Sequence, residues 1–363
     1  MKKSLLILVN ALVILNSCSA DDDSAVTVQP IEGKTITLNE GQGDPAEINQ
    51  FWIELTTGNV TKTHRENWDL GFYSGNEFRV VLNSSLQMSV GKIENAYDID
   101  QVNSETVASL KPLVQVGNYQ SNSEYVDNPS GDILNQTTAI TEIKANDSEN
   151  NVYLLNLGYK TYTGTMTTGT VYTKGDARGY KKIKITRNQQ GYKIQYADLD
   201  DTTHKEYTIT KDNAYNHQFF SFNTNQNTFI QPKKSNWDIC FSVFTNVISA
   251  GAHLTSYVYP DFILTNTLGN VAAYEIVTEA GQGETAYNDF KLFDVEHSKF
   301  IVNDQRVIGG NWRTTTGANG PEVYNNKFYV IRNNNGSYFK LRFLRMKDDN
   351  GNRGYPQFEY KTL

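Results

Sequence analysis

The sequence has little cysteine, no long basic run, no recognised catalytic word and no long amphipathic helical stripe. Two cysteines, Cys18 and Cys240, occur in 363 residues. With Cys18 used for the N-terminal modification argued below, Cys240 stands alone, so neither an internal disulfide nor a cysteine metal cluster is expected. Lys and Arg are scattered and the formal net charge is −7, which argues against nucleic acid as a partner. G-x-S-x-G, H-E-x-x-H, P-loop and C-x-x-C words are absent, so the common hydrolase, zinc-protease, nucleotide and redox chemistries have no mark here. The acidic words "DDD" at 21–23 and "DLDD" at 198–201 lack EF-hand spacing. Paired carboxylates for glycan hydrolysis leave no local signature, and nothing positive points to them. The protein is expected not to be an enzyme.

What is present is aromatic and strand-like. Phe, Trp and Tyr make up 12% of the chain, with 22 Tyr and 17 Phe, a usage that suits half-buried sheet surfaces. "NVYLLNL" (151–157), "GYKKIKI" (179–185), "GYKIQYADL" (191–199), "KFYVIRN" (327–333) and "YFKLRFLRM" (338–346) alternate polar with apolar residues, as half-buried strands do. "KTITLNEG" at 34–41 reads as an early strand. The words "NQQG" (188–191), "NNNG" (333–336) and "DDNGN" (348–352) suit hairpin turns with positive φ. One short helix is predicted over 100–114, stopped by Pro112.

The N-terminus carries Lys2 and Lys3, then an apolar run from Leu5 to Leu15, then "LNSC". The run is too short for a stable span and reads as a secretory signal over 1–17. "LNSC" resembles a bacterial lipobox, which implies cleavage before Cys18, a lipid on its thiol and a membrane anchor. Each buried methylene of such a lipid adds about 0.8 kcal/mol of membrane affinity. Asp21 to Asp23 open a tether expected over 18–47, and their position resembles a surface-export signal of Bacteroidota lipoproteins.

The words "NWDLGF" (67–72) and "NWDICF" (236–241) point to duplication. "NQFWIELTTGNV" precedes the first and "NHQFFSFNTNQNTF" the second. Phe51 to Trp68 is 17 residues and Phe219 to Trp237 is 18, so one insertion reconciles them. Two related antiparallel domains are therefore expected in tandem, over 48–205 and 213–363, in an all-β fold. Between them "KEYTIT" (205–210) reads as a further strand. Within "NWDICF", strand alternation places Trp237, Ile239 and Phe241 on one face. One tryptophan anchor is expected per copy, and Asp69 and Asp238 are expected to accept hydrogen bonds.

The order "FFSF…NWDICF…GGNWRTTTGANGPEVYNNKFYVIRNNNGSYFKLRFL…GYPQFEY" over about 214–363 resembles the HmuY family of haem-binding surface lipoproteins of Bacteroidota. The first half resembles it through "FWIELTTGNV", "NWDLGF", "FRVVLN" and "GYKKIKI". The resemblance implies an all-β protein at the outer membrane and cell surface. It also implies capture of haem or a related tetrapyrrole and its transfer to a TonB-dependent receptor. Two axial histidines or methionines on facing loops hold the iron in the family. The matching loops here, around 281–290 and 313–326, contain neither; Thr315 and Thr316 stand near one of the places. Other donors are Met88 and Met166, as a bis-Met pair in the first copy, and His253 and His297 in the second. Each is also explained without a ligand, the methionines as core filler and the histidines as exposed or hydrogen-bonded residues. The second functional reading is a surface glycan- or protein-binding module that has lost haem ligation and binds through exposed Tyr and Trp faces.

Overall fold

The computed structural model describes residues 33–38, 45–117, 119–316 and 320–363. The expected signal peptide, Cys18 and most of the expected tether lie outside the described residues. The first half forms β1 (Lys34–Thr37), the hairpin β2 (Asn49–Glu54) and β3 (Asn59–His64), β4 (Leu70–Tyr73), β5 (Val80–Leu82) and β6 (Ser89–Lys92). After a long irregular stretch come β7 (Val152–Asn156), β8 (Tyr180–Asn188), β9 (Gly191–Asp198) and β10 (Lys205–Thr210). The second half forms β11 (His217–Ser221), β12 (Gln226–Thr228), β13 (Ile239–Ala250), β14 (His253–Thr265) and β15 (Ala272–Val277). The helix α1 (Gly283–Asp289), the short pair β16 (Arg313–Thr314) and β17 (Glu322–Val323), and β18 (Lys327–Arg332), β19 (Tyr338–Lys347) and β20 (Arg353–Thr362) complete it.

Every alternating word becomes a strand, and the fold is antiparallel and nearly all-β. The 100–114 helix does not form. That segment is a 3₁₀ turn at Ile99–Gln101 followed by irregular turns, whose Val102, Val107 and Val114 pack with Val152 and Leu154 of β7. The α-helix lies instead at Gly283–Asp289, where a seven-residue segment is too short to show a period.

The halves are consecutive in sequence but interleaved in space. One sheet runs β1-β20-β19-β18-β15 and another β10-β9-β8-β7-β6. The other two large sheets run β14-β13-β2-β3 and β12-β11-β4-β5. With β10 counted in the second half, each half donates its first three strands, β1–β3 or β10–β12, to sheets built by the other half. The cores follow. One combines Ile36, Phe51, Ile53 and Leu55 with Ile239, Phe241, Phe339 and Phe358. The other combines Leu70, Phe72, Ile183 and Ile194 with Ile209, Phe220 and Phe222.

Register identifies equivalent residues. Phe220 pairs with Leu70 and Phe219 with Gly71; Ile53 pairs with Ile239 and Trp52 with Cys240. Since Leu70 and Ile239 follow the two Trp-Asp pairs at the same distance, Trp52 corresponds to Phe219 and Gln50 to His217. The spacing alignment, which matched Phe51 to Phe219, is off by one. The repeated aspartates clamp the exchanged strands. Asp238 Oδ2 accepts the backbone N–H of Leu55 at 2.7 Å, and Asp69 Oδ2 accepts that of Phe222 at 2.7 Å. Asn83 donates to the Arg65 and Trp68 carbonyls at 2.8 Å. Asn266 makes the same pair of bonds to Lys234 and Trp237, at 2.9 Å.

Trp237 does not share a face with Ile239 and Phe241. β13 begins at Ile239, so alternation does not reach back to Trp237. It packs instead with Trp52, Trp68, Phe219, Ile230 and Cys240 where the two exchanged hairpins meet. The Trp52 and Trp237 rings stand edge-on at 4.8 Å, and the equivalent Phe219 and Trp68 rings also at 4.8 Å. Such contacts add about 0.5–1.5 kcal/mol each beyond area burial. The tryptophans therefore anchor the junction rather than one copy apiece.

Candidate functional site

A cavity of about 130 Å³ opens at this junction, between the sheets that carry the exchanged hairpins. Trp52, Trp68, Trp237, Phe219, Phe244 and Met88 supply much of its apolar wall. Its polar lining includes Gln50 of β2, His217 of β11, Gln231 before β13 and Asp127 after Val126, together with Ser84, Asn128, Thr245 and Gln305.

Most of those groups are already engaged. Trp68 Nε1 donates to Gln50 Oε1 at 2.8 Å, and Gln50 Nε2 donates to Ser242 Oγ at 3.1 Å. Asp127 accepts the Leu82 and Ala139 backbone N–H groups, at 2.7 and 2.9 Å. Burial pushes its carboxyl up to about 6, against the pull of those two bonds. The other side of the pseudo-twofold differs. Trp237 Nε1, both ring nitrogens of His217 and Gln231 Oε1 are buried and have no hydrogen-bond partner among the described residues. His217 is 8% exposed and Trp237 5%. Burial lowers the His217 pKa to about 4, so at neutral pH the ring is uncharged, with one donor and one acceptor nitrogen. The position where Gln50 satisfies Trp68 is thus occupied, in the second copy, by a histidine that leaves Trp237 open. Buried polar groups without partners are rare and costly, of order 1–3 kcal/mol each.

The four donors predicted from sequence do not converge. Met88 lines the cavity and is 1% exposed. Met166 is 37% exposed, in the loop before Ala177, and is not part of the cavity wall. His253 is an exposed residue at the start of β14, its Nε2 2.9 Å from the Tyr119 carbonyl oxygen. His297 lies in a 3₁₀ turn, exposed, with Nδ1 3.3 Å from the Tyr338 hydroxyl. The cavity residue the sequence did not single out is His217. Its signal was the Gln50 equivalence, hidden by the one-residue error in register. Among the described residues no cluster of three or more His, Cys, Asp or Glu is arranged for a metal ion. Cys240 is buried and its thiol is held well above its ordinary pKa by burial, so it is no thiolate ligand. All four tryptophans are buried, which removes the exposed Trp face of the second reading.

Haem can be set against this geometry. Met88 and His217 are acceptable axial donors in kind, and both line one cavity. A cavity of about 150 Å³ holds a single benzene ring, whereas drug-sized ligands occupy roughly 300–1,000 Å³. At about 130 Å³ the seat admits one ring and not a four-pyrrole macrocycle. This junction cavity does not fit haem.

Comparison with known proteins supplies the family. The HmuY protein family model matches residues 46–220 and again 213–360. No curated protein sequence matches the chain. Among solved structures, apo PinO from Porphyromonas gingivitis is similar at 10% identity and a TM-score of 0.27, covering 92% of this chain and 97% of that one. An apo HmuY analogue of Tannerella forsythia is similar at 12% identity and a TM-score of 0.23, covering 92% and 96%. TM-scores this low carry no argument about fold or function, and the weight rests on the two family matches. The chain belongs to the HmuY family, with two copies in tandem along its sequence.

Proposed function

We propose that this protein is a lipid-anchored binding protein of the outer cell surface, not an enzyme, that keeps the HmuY scaffold without ligating haem. The observation that carries this reading is the cavity at the strand-exchange junction, which is built like a ligand seat but scaled to one ring. A preformed apolar pocket with a few convergent polar groups is the usual form of a small-ligand site. The lipobox-like "LNSC" supports anchoring at Cys18, and the acidic residues after it support export to the surface. Transfer to a TonB-dependent receptor belongs to the same picture, with the cargo changed.

The test is a visible spectrum of the purified protein with haemin. The broad spectrum of unbound haemin is expected. A sharp Soret band with paired α and β bands, abolished by Met88→Ala or His217→Ala, would overturn the reading in favour of haem capture.

A further inference from the structure

We propose that the junction cavity binds a small, flat, uncharged single-ring heterocycle that presents both N–H donors and C=O or ring-nitrogen acceptors on its edge. The proposal rests on the reading above and names the class of ligand. Four observations define the class. First, size: about 130 Å³ is room for one ring. Second, shape: Trp52, Trp237, Trp68 and Phe219 form paired edge-on ring contacts around the space, and aromatic walls favour a flat occupant. Third, polarity: Trp237 Nε1–H offers a donor, Gln231 Oε1 an acceptor and the neutral His217 ring one of each, all buried and without partners among the described residues. A ligand edge with matching groups satisfies all three residues at once, whereas an apolar ring leaves them unpaired. Fourth, charge: among the described residues no Lys or Arg lines the wall, and its one carboxylate, Asp127, is occupied by two backbone N–H groups. An ionised ligand finds no counter-charge there, so charged rings are rejected.

The pseudo-twofold provides an internal control. The equivalent Trp68 is closed by Gln50, so the open Trp237 donor and His217 ring follow from the change of glutamine to histidine on the exchanged strand. Sites that hydrogen-bond a ligand reject analogues lacking those groups more strongly than apolar sites reject a missing methylene.

The experiment is calorimetric titration of residues 19–363, the protein without its lipid anchor, with uracil, benzene and benzoate. Uracil is expected to bind saturably at one site. Benzene is expected at least tenfold weaker, and benzoate not at all. His217→Phe keeps a buried ring and removes both nitrogens; Gln231→Leu removes the acceptor from a different segment. Each is expected to weaken uracil at least tenfold. No saturable uracil binding, equal binding of benzene, or unchanged affinity in both variants would overturn the proposal. Haemin is titrated in parallel. A sharp Soret band there defeats the functional reading itself, while failure of uracil with haemin still unbound defeats only the ligand class.

Discussion

At the scale of single residues, the two Trp-Asp pairs hold the same bonds under different electrostatics. Asp69 is paired with Arg178 at 2.7 Å. Asp238 has its Leu55 bond and, among the described residues, no ion pair. Burial lifts its carboxyl to about 7, with nearby Glu54 adding to the rise. An unfolded aspartate titrates near 3.9, so between about pH 4 and pH 7 the folded state holds a proton that the unfolded state has lost. Stability from this group is therefore present below the unfolded pKa and falls as pH rises to about 7. Asp238→Asn keeps an acceptor for Leu55 and removes the titration. The variant should gain on the wild type by up to about 4 kcal/mol between pH 4 and pH 8, measured by urea unfolding at each pH; a constant difference would count against this assignment. The symmetry argument gives a second residue-scale prediction. His217→Gln should recreate the Gln50–Trp68 bond at Trp237 and stabilise the protein by about 1 kcal/mol, while abolishing uracil binding. Destabilisation would show that the two positions are not equivalent.

At the scale of elements, strand positions were legible because alternation is local. β7, β8, β9, β18 and β19 fall on the words read from sequence, and the Asn-Gly turns close the hairpins, with Gly336 and Gly351 at φ of 81° and 82°. Pairing between halves was not legible. β2 pairs with β13 and β11 with β4, contacts across well over a hundred residues that leave no local trace. The site failed for a related reason. A one-residue slip moves every side chain to the opposite face, so aligning Phe51 with Phe219 set His217 against Asn49 and concealed its match to Gln50. The exchanged hairpin also predicts an energetic coupling. Trp52 belongs to the first half but packs on Trp237 and pairs with Cys240. Trp52→Ala should cost about 3–5 kcal/mol and lower one shared unfolding transition. Two separated transitions by calorimetry would mean the halves unfold independently.

At the scale of the whole molecule, the described residues cluster as one unit, although the family model matches twice. Duplication followed by reciprocal strand donation accounts for both facts. The side chains of the second core lie between Leu70 and Phe222, so a fragment spanning 65–236 should fold alone. A fragment cut at 48–205 lacks Ile209, Phe220 and Phe222 and should not. Dispersed amide spectra for the longer fragment and collapsed spectra for the shorter are expected; the reverse would contradict the exchange. The same architecture places a cavity at the junction, where each half supplies wall and only one side of the pseudo-twofold is closed.

If this open side is the binding seat, the tryptophan indole N–H resonances report on it directly. Trp52, Trp68 and Trp312 donate to Thr63, Gln50 and the Asp261 carbonyl, whereas Trp237 Nε1 has no partner. In a ¹⁵N–¹H spectrum titrated with uracil, the Trp237 indole peak, identified by its loss in Trp237→Phe, should shift saturably and furthest while the Trp312 peak stays fixed. A Trp237 peak that does not move, or a Trp312 peak that moves with it, would contradict the account.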